Sequence, residues 1–382
     1  MTSAQLSSLY RPTHDESSRQ MFVGALKNFA NGALEAQLAE LYEQRLLPEF
    51  VAAHGRAPAD RREGRPLFET QPLYQLWGSM VYASQGLMWQ TVGATCRRIQ
   101  APFERGAAAA TQQPRGTLTL DPALQPPRPI SAVEIHRQPG GYFASAGATD
   151  LFAGLVYFGT IELYRAAKGL SAGAPIGEPG LGRYIVAVLR KRYPGLKPRR
   201  ILDLGCGPGI ETLALQEAFP DAEVHGLDLS EPFVRFAHAW AEDRGVTVHY
   251  READARHTGY PDGHFDLIVS HILFHETWHD VLPGIFAEAH RLLAPDGVFL
   301  NADVPYQPGR MPIPKQVTND WQVRNNGEPF WTGFADTDVP AALANAGFAA
   351  AGIVADYEPL GAGHYYFFGG TKGAKAPGRH DA

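Results

Sequence analysis

The chain has 382 residues, with 40 acidic against 34 basic side chains and a net charge of -6. No Lys/Arg block stands out, so the basic face of a nucleic-acid binder is missing, and no apolar run is long enough to span a membrane. The two cysteines, Cys96 and Cys206, do not make a disulfide framework. Met1-Thr-Ser-Ala-Gln lacks the charged and apolar regions of a secretory signal, so a reducing cytoplasm is the expected compartment.

In chain order, residues 1–18 are polar and proline-marked and read as a poorly ordered arm. Met21, Phe22, Ala25, Phe29, Leu34, Leu38 and Leu41 are spaced for one apolar helix face and predict a helix from about Arg19 to Phe50, ended by Pro48. Residues 52–66 are charged and small, a loop. Pro72 opens a second helix, where proline in the first turn is tolerated, and it runs to about Ile99. Residues 101–130, with Ala repeats and five prolines from Pro114 to Pro129, read as a linker. Residues 150–168 and 179–193 read as helices. The expected organisation is a mostly helical cap and dimerisation domain over 1–190, an α/β domain over 191–373, and a tail over 374–382.

The second half alternates strand and helix as a doubly wound sheet requires. Seven strands are predicted: Arg200–Leu204, Glu223–Asp228, Thr247–Glu252, Phe265–Ser270, Gly297–Asp303, Ala349–Tyr357 and His364–Thr371. Helices fall at about 209–218, 231–244, 276–293 and 336–346.

The densest signal is Ile201-Leu-Asp-Leu-Gly-Cys-Gly-Pro-Gly-Ile-Glu211. An apolar run ending in an acid reads as a buried parallel strand. Gly205, Gly207 and Gly209 then permit a tight turn and close backbone approach by a ligand, ahead of a helix N-terminus. The G-x-G-x-G spacing departs from the nicotinamide fingerprint and lacks the Walker lysine. Asp228 ends the next strand, at the distance where an acid accepts from ribose hydroxyls. Asp203, the three glycines and Asp228 describe a nucleoside site whose ligand need not carry a pyrophosphate. Cys206, inside the turn, reads as a small space-filler.

Ile201–Glu211, Val224–Ser230, Glu252–Arg256 and Phe265–His271 resemble the successive motifs of class I S-adenosylmethionine-dependent methyltransferases, in the small-molecule branch that includes the ubiquinone and menaquinone methylases. The resemblance runs from about Pro198 to about Lys372. It implies a Rossmann-like seven-stranded sheet under an α-helical N-terminal cap, with S-adenosylmethionine as cofactor. It places Asp203 near the methionine end, the backbone of Gly205–Gly209 (with Cys206) along methionine and ribose, Asp228 on the ribose and Leu229 on the adenine. Asp254 with Ala255 meets the adenine amino group, which a carboxylate accepts, and Ser270 and His271 line the crevice at the end of the fourth strand.

Methyl transfer from an activated sulfonium needs alignment and removal of a proton from the acceptor. Ser270-His-Ile-Leu-Phe-His-Glu-Thr-Trp-His-Asp280 is therefore the place to look for a base. His275 is the expected base, since imidazole titrates near neutral pH, with His271 as the second catalytic candidate. A helix through 275–280 would set His275 and His279 on one face. His-Glu-Thr-Trp-His formally matches H-E-x-x-H, so a zinc hydrolase through His275, Glu276 and His279 is a lower-ranked alternative; no metal is expected.

Candidate acceptor contacts are Tyr142 and Tyr157, before the α/β domain, and Tyr306, Trp321 and Trp331 in a long aromatic lid loop from Val304 to Phe334. The expected acceptor is a small, partly apolar metabolite attacked through oxygen or nitrogen, and the enzyme is expected to be a homodimer. Methylation of a protein or RNA, and a non-catalytic cofactor-binding sheet, are the alternatives.

Overall fold

The computed structural model describes residues 6–168, 175–304, 310–360 and 363–373. Its strands are β1 (Leu118–Thr119), β2 (Arg200–Leu204), β3 (Glu223–Asp228), β4 (His249–Glu252), β5 (Phe265–His271), β6 (Leu293–Asp303), β7 (Val354–Leu360) and β8 (Gly363–Thr371). They form one sheet in the order β1-β4-β3-β2-β5-β6-β8-β7. The first six are parallel, and β8 and β7 close the far edge antiparallel.

The sheet thus has eight strands where seven were expected. The extra one, β1, comes from the stretch read as a linker and pairs Leu118 with Tyr250. The prolines around it do no harm, because an edge strand leaves one row of N–H groups unpaired. The carboxylate of Glu242 fastens it by accepting the N–H groups of Arg115 and Gly116 at 2.7–2.9 Å.

Alternation along the strands divides the core. Ile201, Val224, Leu267 and Leu300 share one cluster with Trp89, Phe158, Phe236 and Trp240, so helices of the N-terminal half lie on that face. Leu202, Leu204, Ile268 and Phe299 face Phe274, Phe286 and Leu343 on the other. A third cluster joins Leu34, Leu38, Tyr42, Phe68 and Trp77 to Val317, far along the chain.

The helical segments depart from expectation in the first half of the chain and in the lid. Residues from Leu6 are ordered rather than an arm, with Leu6 and Tyr10 buried. The first long helical run extends from His14 to His54, through π-type turns at Phe29–Leu34 and Tyr42–Leu46. Pro48 does not end it, because the proline sits in the first turn after a π-type stretch, where no intrahelical N–H is needed. Its buried side is Val23, Ala30, Leu34 and Leu38, while Met21, Phe22 and Phe29 stand exposed. Residues read as loop form the helix Arg61–Glu69, capped by Asp60, with Arg61 paired to Asp336 at 2.6 Å. The helix opened by Pro72 reaches Ala110, since the Ala repeats are strong helix formers. The expected lid loop contains the helices Ile313–Asn325 and Trp331–Ala335, and the first packs on Arg61–Glu69 through Asp320 and Arg65. Among the described residues no helix is long and apolar enough to cross a membrane.

Candidate active site

Because β2 lies between β3 and β5, the strand order reverses beside it, and this is where an open α/β sheet opens a crevice at its carboxyl edge. The glycine turn after β2 lies on one side of that crevice and the segment after β5 on the other. The two are in contact: a Cβ on residue 205 would lie 2.6 Å from Leu273 Cδ1. Gly205, Gly207 and Gly209 have φ of 74°, 53° and 73°, which side chains rarely adopt. At Gly209 a Cβ would also fall 2.6 Å from both Ala237 Cβ and Tyr250 Oη, so glycine lets the turn pack on the sheet.

The turn is tied to β3. Gly205 and Cys206 donate their N–H groups to Leu227 O at 2.7 and 2.9 Å, and Gly207 donates to Asp228 Oδ2 at 2.9 Å. These donors are occupied, which fits a ligand without a pyrophosphate. Asp228 Oδ1 accepts from Ser230 N–H at 2.8 Å, so both carboxylate oxygens are aimed while keeping spare lone pairs. Burial pushes the Asp228 carboxyl up to about 6 against these backbone bonds. Ribose hydroxyls donate to the ionised form, so affinity for a nucleoside ligand should fall as the pH drops from about 7 to about 5. A calorimetric pH series checks this; a flat profile would argue against ribose binding at Asp228.

Asp203 turns inward, 5% exposed, and accepts from Thr212 Oγ1 at 2.6 Å; burial raises it to about 7. Cys206 is buried and its thiol is pushed well up, which suits a space-filler. Leu229 and Ala255 are half-buried beyond the turn. Asp254 is held by Arg256 at 2.6 Å, and Ser270 donates to Asn301 Oδ1 at 2.7 Å inside the sheet.

An aromatic wall stands beside Asp228. Tyr142, Tyr157 and Phe233 have ring centroids 5.2–5.6 Å apart, and Ser230 Oγ donates to Tyr142 O at 2.6 Å. The Tyr142 hydroxyl reaches 3.5 Å from Glu276 Oε1. One tyrosine therefore spans from Ser230, two residues after Asp228, to the histidine segment.

That segment is not a helix over 275–280. β5 leaves the sheet through Ile272, a β-branched residue at φ 49°, and short 3-10 turns follow at Phe274–Glu276 and His279–Val281. His275 goes inward, while the His279 side chain is 65% exposed and pairs with Asp280. The H-E-x-x-H arrangement is therefore not assembled. His275 instead meets Asp303, at the end of β6, with Nδ1 to Oδ1 at 2.5 Å, and its Nε2 lies 3.4 Å from Glu276 Oε1. His136 stands between Glu276 (Nε2, 2.5 Å) and Glu328 (Nδ1, 2.6 Å).

Burial works against protonation of both imidazoles, but the carboxylates outweigh it. His136 is held up at about 10 by Glu276 and Glu328, and His275 well above its usual value by Asp303 and Glu276. Glu276 is held well below the carboxylate range by the two histidines, against its burial. A base must be free of its proton, so His275 flanked by two carboxylates is not a ready base by itself. His271 is the opposite case: burial lowers it to about 4, and its Nε2 has no hydrogen-bond partner among the described residues.

Of the other candidate contacts, Tyr142 and Tyr157 are at this site and the Trp331 ring lies 5.9 Å from His275. Trp321 packs on Trp77 at 5.1 Å, against the third apolar cluster rather than at the cleft. Tyr306 lies outside the described residues. Sequence reasoning passed over Asp303, His136 and Glu328 as functional groups. Asp303 carried a readable signal, an acid at the carboxyl end of a parallel strand; His136 stood in a segment valued for its aromatics, and Glu328 had no signal.

Residues 201–297 match the methyltransferase domain family. Over 29% of its length the chain is 39% identical to a demethylmenaquinone methyltransferase of Thermus thermophilus, covering 50% of that protein. Over 28% it is 40% identical to a malonyl-[acyl-carrier protein] O-methyltransferase of Geobacter sulfurreducens, covering 38% of it. The chain spans half or less of the length of these relatives. Among solved structures, a phosphoethanolamine N-methyltransferase 2 of Haemonchus contortus in complex with S-adenosyl-L-methionine aligns at a TM-score of 0.39 and 16% identity, over 50% of this chain and 52% of that one.

Proposed function

We propose, on the premise that residues 201–297 form a class I S-adenosylmethionine-dependent methyltransferase domain, that the protein moves the methyl group of this cofactor to an oxygen or nitrogen of a small, partly apolar metabolite. The observation that supports the reading is Tyr142, whose backbone carbonyl is held by Ser230, the residue that also caps Asp228, while its hydroxyl reaches Glu276 of the histidine–carboxylate cluster. A cofactor held by Asp228 would lie on one side of this residue, and Glu276 and His275, which would orient an acceptor, lie on the other.

Asp228 would hold the ribose, Leu229 and Ala255 would flank the adenine, and Asp254 would accept from its amino group. The space beside Gly207, where a Cβ would meet nothing within 4 Å, leaves room for the cofactor. The bound sulfonium supplies an already activated methyl group. Tyr142, Tyr157 and Phe233 exclude water and present ring faces that favour a cation. The acceptor's polar atom would face Glu276 and His275, where a proton can enter the chain of hydrogen bonds that ends at Asp303.

The acceptor is taken to be small because the cleft is walled by the helical half of the chain. A protein substrate is the second reading. Calorimetric titration with S-adenosylmethionine and S-adenosylhomocysteine tests the proposal. Micromolar binding of both supports it, and absence of binding to either removes it. The homodimer is supported by Met21 at 71% and Phe22 at 62% exposed, on the side of their helix turned away from the core. Sedimentation at the monomer mass would eliminate it.

A further inference from the structure

Four side chains from three separate stretches converge beside the cleft. His136 comes from the turn Ile135–Arg137, His275 and Glu276 from the turn Phe274–Glu276, and Glu328 from the bend between Ile313–Asn325 and Trp331–Ala335. One nitrogen or oxygen from each lies within 4.8 Å of all the others. We propose that this group of two histidines and two glutamates binds one divalent transition-metal ion, of the zinc, manganese or ferrous class. Binding of the ion stands on these four residues alone; only its part in methyl transfer rests on the function proposed above.

Three of the ligand atoms stand near the spacing an ion needs. Ligand atoms on one metal with bonds of about 2.0–2.2 Å stand roughly 3 Å apart, and here Glu276 Oε1 lies 2.5 Å from His136 Nε2 and 3.4 Å from His275 Nε2. Glu328 Oε1 lies on the other ring nitrogen, His136 Nδ1, at 2.6 Å, so the fourth ligand would be its Oε2, a buried oxygen with no hydrogen-bond partner among the described residues. The supporting shell is built. Asp303, fully buried, holds His275 Nδ1, which leaves Nε2 pointing into the group; a carboxylate behind a ligating histidine is the usual way its orientation is set. The donor set selects the metal class. Imidazole nitrogens with carboxylates and no thiolate suit first-row divalent ions, whereas calcium and magnesium take oxygen alone.

The backbone is also strained so as to aim His136. His136 and Arg137 have φ of 53° and 59°, outside the region that side chains favour. The turn persists because its surroundings impose it. Gln85 Nε2 and Trp89 Nε1 both donate to His136 O at 2.7 Å, and His136 N–H donates to Gly327 O at 2.6 Å. Strain held in this manner gathers at ligand clamps. The ion would sit next to Tyr142, at the acceptor end of the cleft, where a six-coordinate manganese or ferrous ion would have positions left to polarise an acceptor oxygen, and a four-coordinate zinc would fix the four side chains in place.

The test uses tag-free, chelator-treated full-length protein, titrated with Zn²⁺ and Mn²⁺, with S-adenosylmethionine titrated in parallel. One equivalent of at least one metal should bind. Glu328→Gln and His136→Gln should each weaken it by about 10-fold or more, and Asp303→Asn by roughly 10–100-fold. Cobalt(II) loaded in place of the metal should show ligand-field bands that change in His136→Gln. Each variant is compared with the parent by thermal melting, and Glu328→Gln, the mildest change, decides the matter if the others unfold. No stoichiometric binding by the parent protein, or equal affinity in a folded Glu328→Gln, overturns the proposal. Protein that binds S-adenosylmethionine but no metal refutes only the metal site, and protein that binds metal but no S-adenosylmethionine refutes only the methyl-transfer reading.

Discussion

Asp228→Ala is expected to weaken S-adenosylmethionine binding by about 100-fold or more. A hydrogen bond to a charged acceptor is worth about 1.5–3 kcal/mol, each 1.4 kcal/mol is about tenfold in affinity, and a ribose offers two hydroxyls. The substitution also removes the acceptor of the Gly207 and Ser230 N–H groups, so the glycine turn keeps only its bonds to Leu227 O as ties to β3. Asp228→Asn separates the two effects. Its amide oxygen can still accept from Ser230, while its amide nitrogen faces the Gly207 N–H and the ribose with donors. Both variants should lose affinity, and Asp228→Asn, which keeps the Ser230 bond, should melt closer to the parent than Asp228→Ala does. Unchanged affinity in either would show that the ribose lies elsewhere.

His275→Asn is expected to lower turnover by roughly 10²–10⁴, the range for groups that manage a proton in the transition state, while S-adenosylmethionine affinity stays within about twofold. Asparagine is chosen over alanine because its amide can still donate to Asp303, which is fully buried. With alanine, that carboxylate would keep the N–H groups of Phe274 and Val304 but lose its ionic partner, and breaking a buried pair costs about 3–5 kcal/mol. A folded His275→Asn protein with full activity would leave His275 a structural role only. Single-turnover kinetics at saturating cofactor make the measurement, because they separate the chemical step from product release.

The cofactor half of the site was legible because its residues are close in sequence. Asp203 to Glu211 is one strand–turn–helix unit, and Asp228 follows at the end of the next strand. Patterns of this kind are set by local backbone geometry, and so the parallel strands were also placed within a residue or two at most of their ends. The acceptor half was not legible. His136, Glu276 and Glu328 are brought together by packing between segments far apart in the chain, and no local spacing records it. The histidine pair at 275 and 279 misled for the same reason: its helical spacing counts only if a helix forms, and the exit of β5 through Ile272 makes short turns instead.

The sequence by itself determined seven strands of the sheet, the glycine turn and the strand-end position of Asp228, since alternation, glycine spacing and strand-end acids act over a few residues. Tertiary structure alone decided which face of the first helix is buried, that residues 118–119 extend the sheet, and that Asp303 stands behind His275. In the first case amphipathic residues occupy more than one side of the helix, and only the neighbours available for packing choose between them. In the second a two-residue strand is too short to have a pattern. In the third two residues on neighbouring parts of the sheet edge meet only because β5 and β6 run side by side.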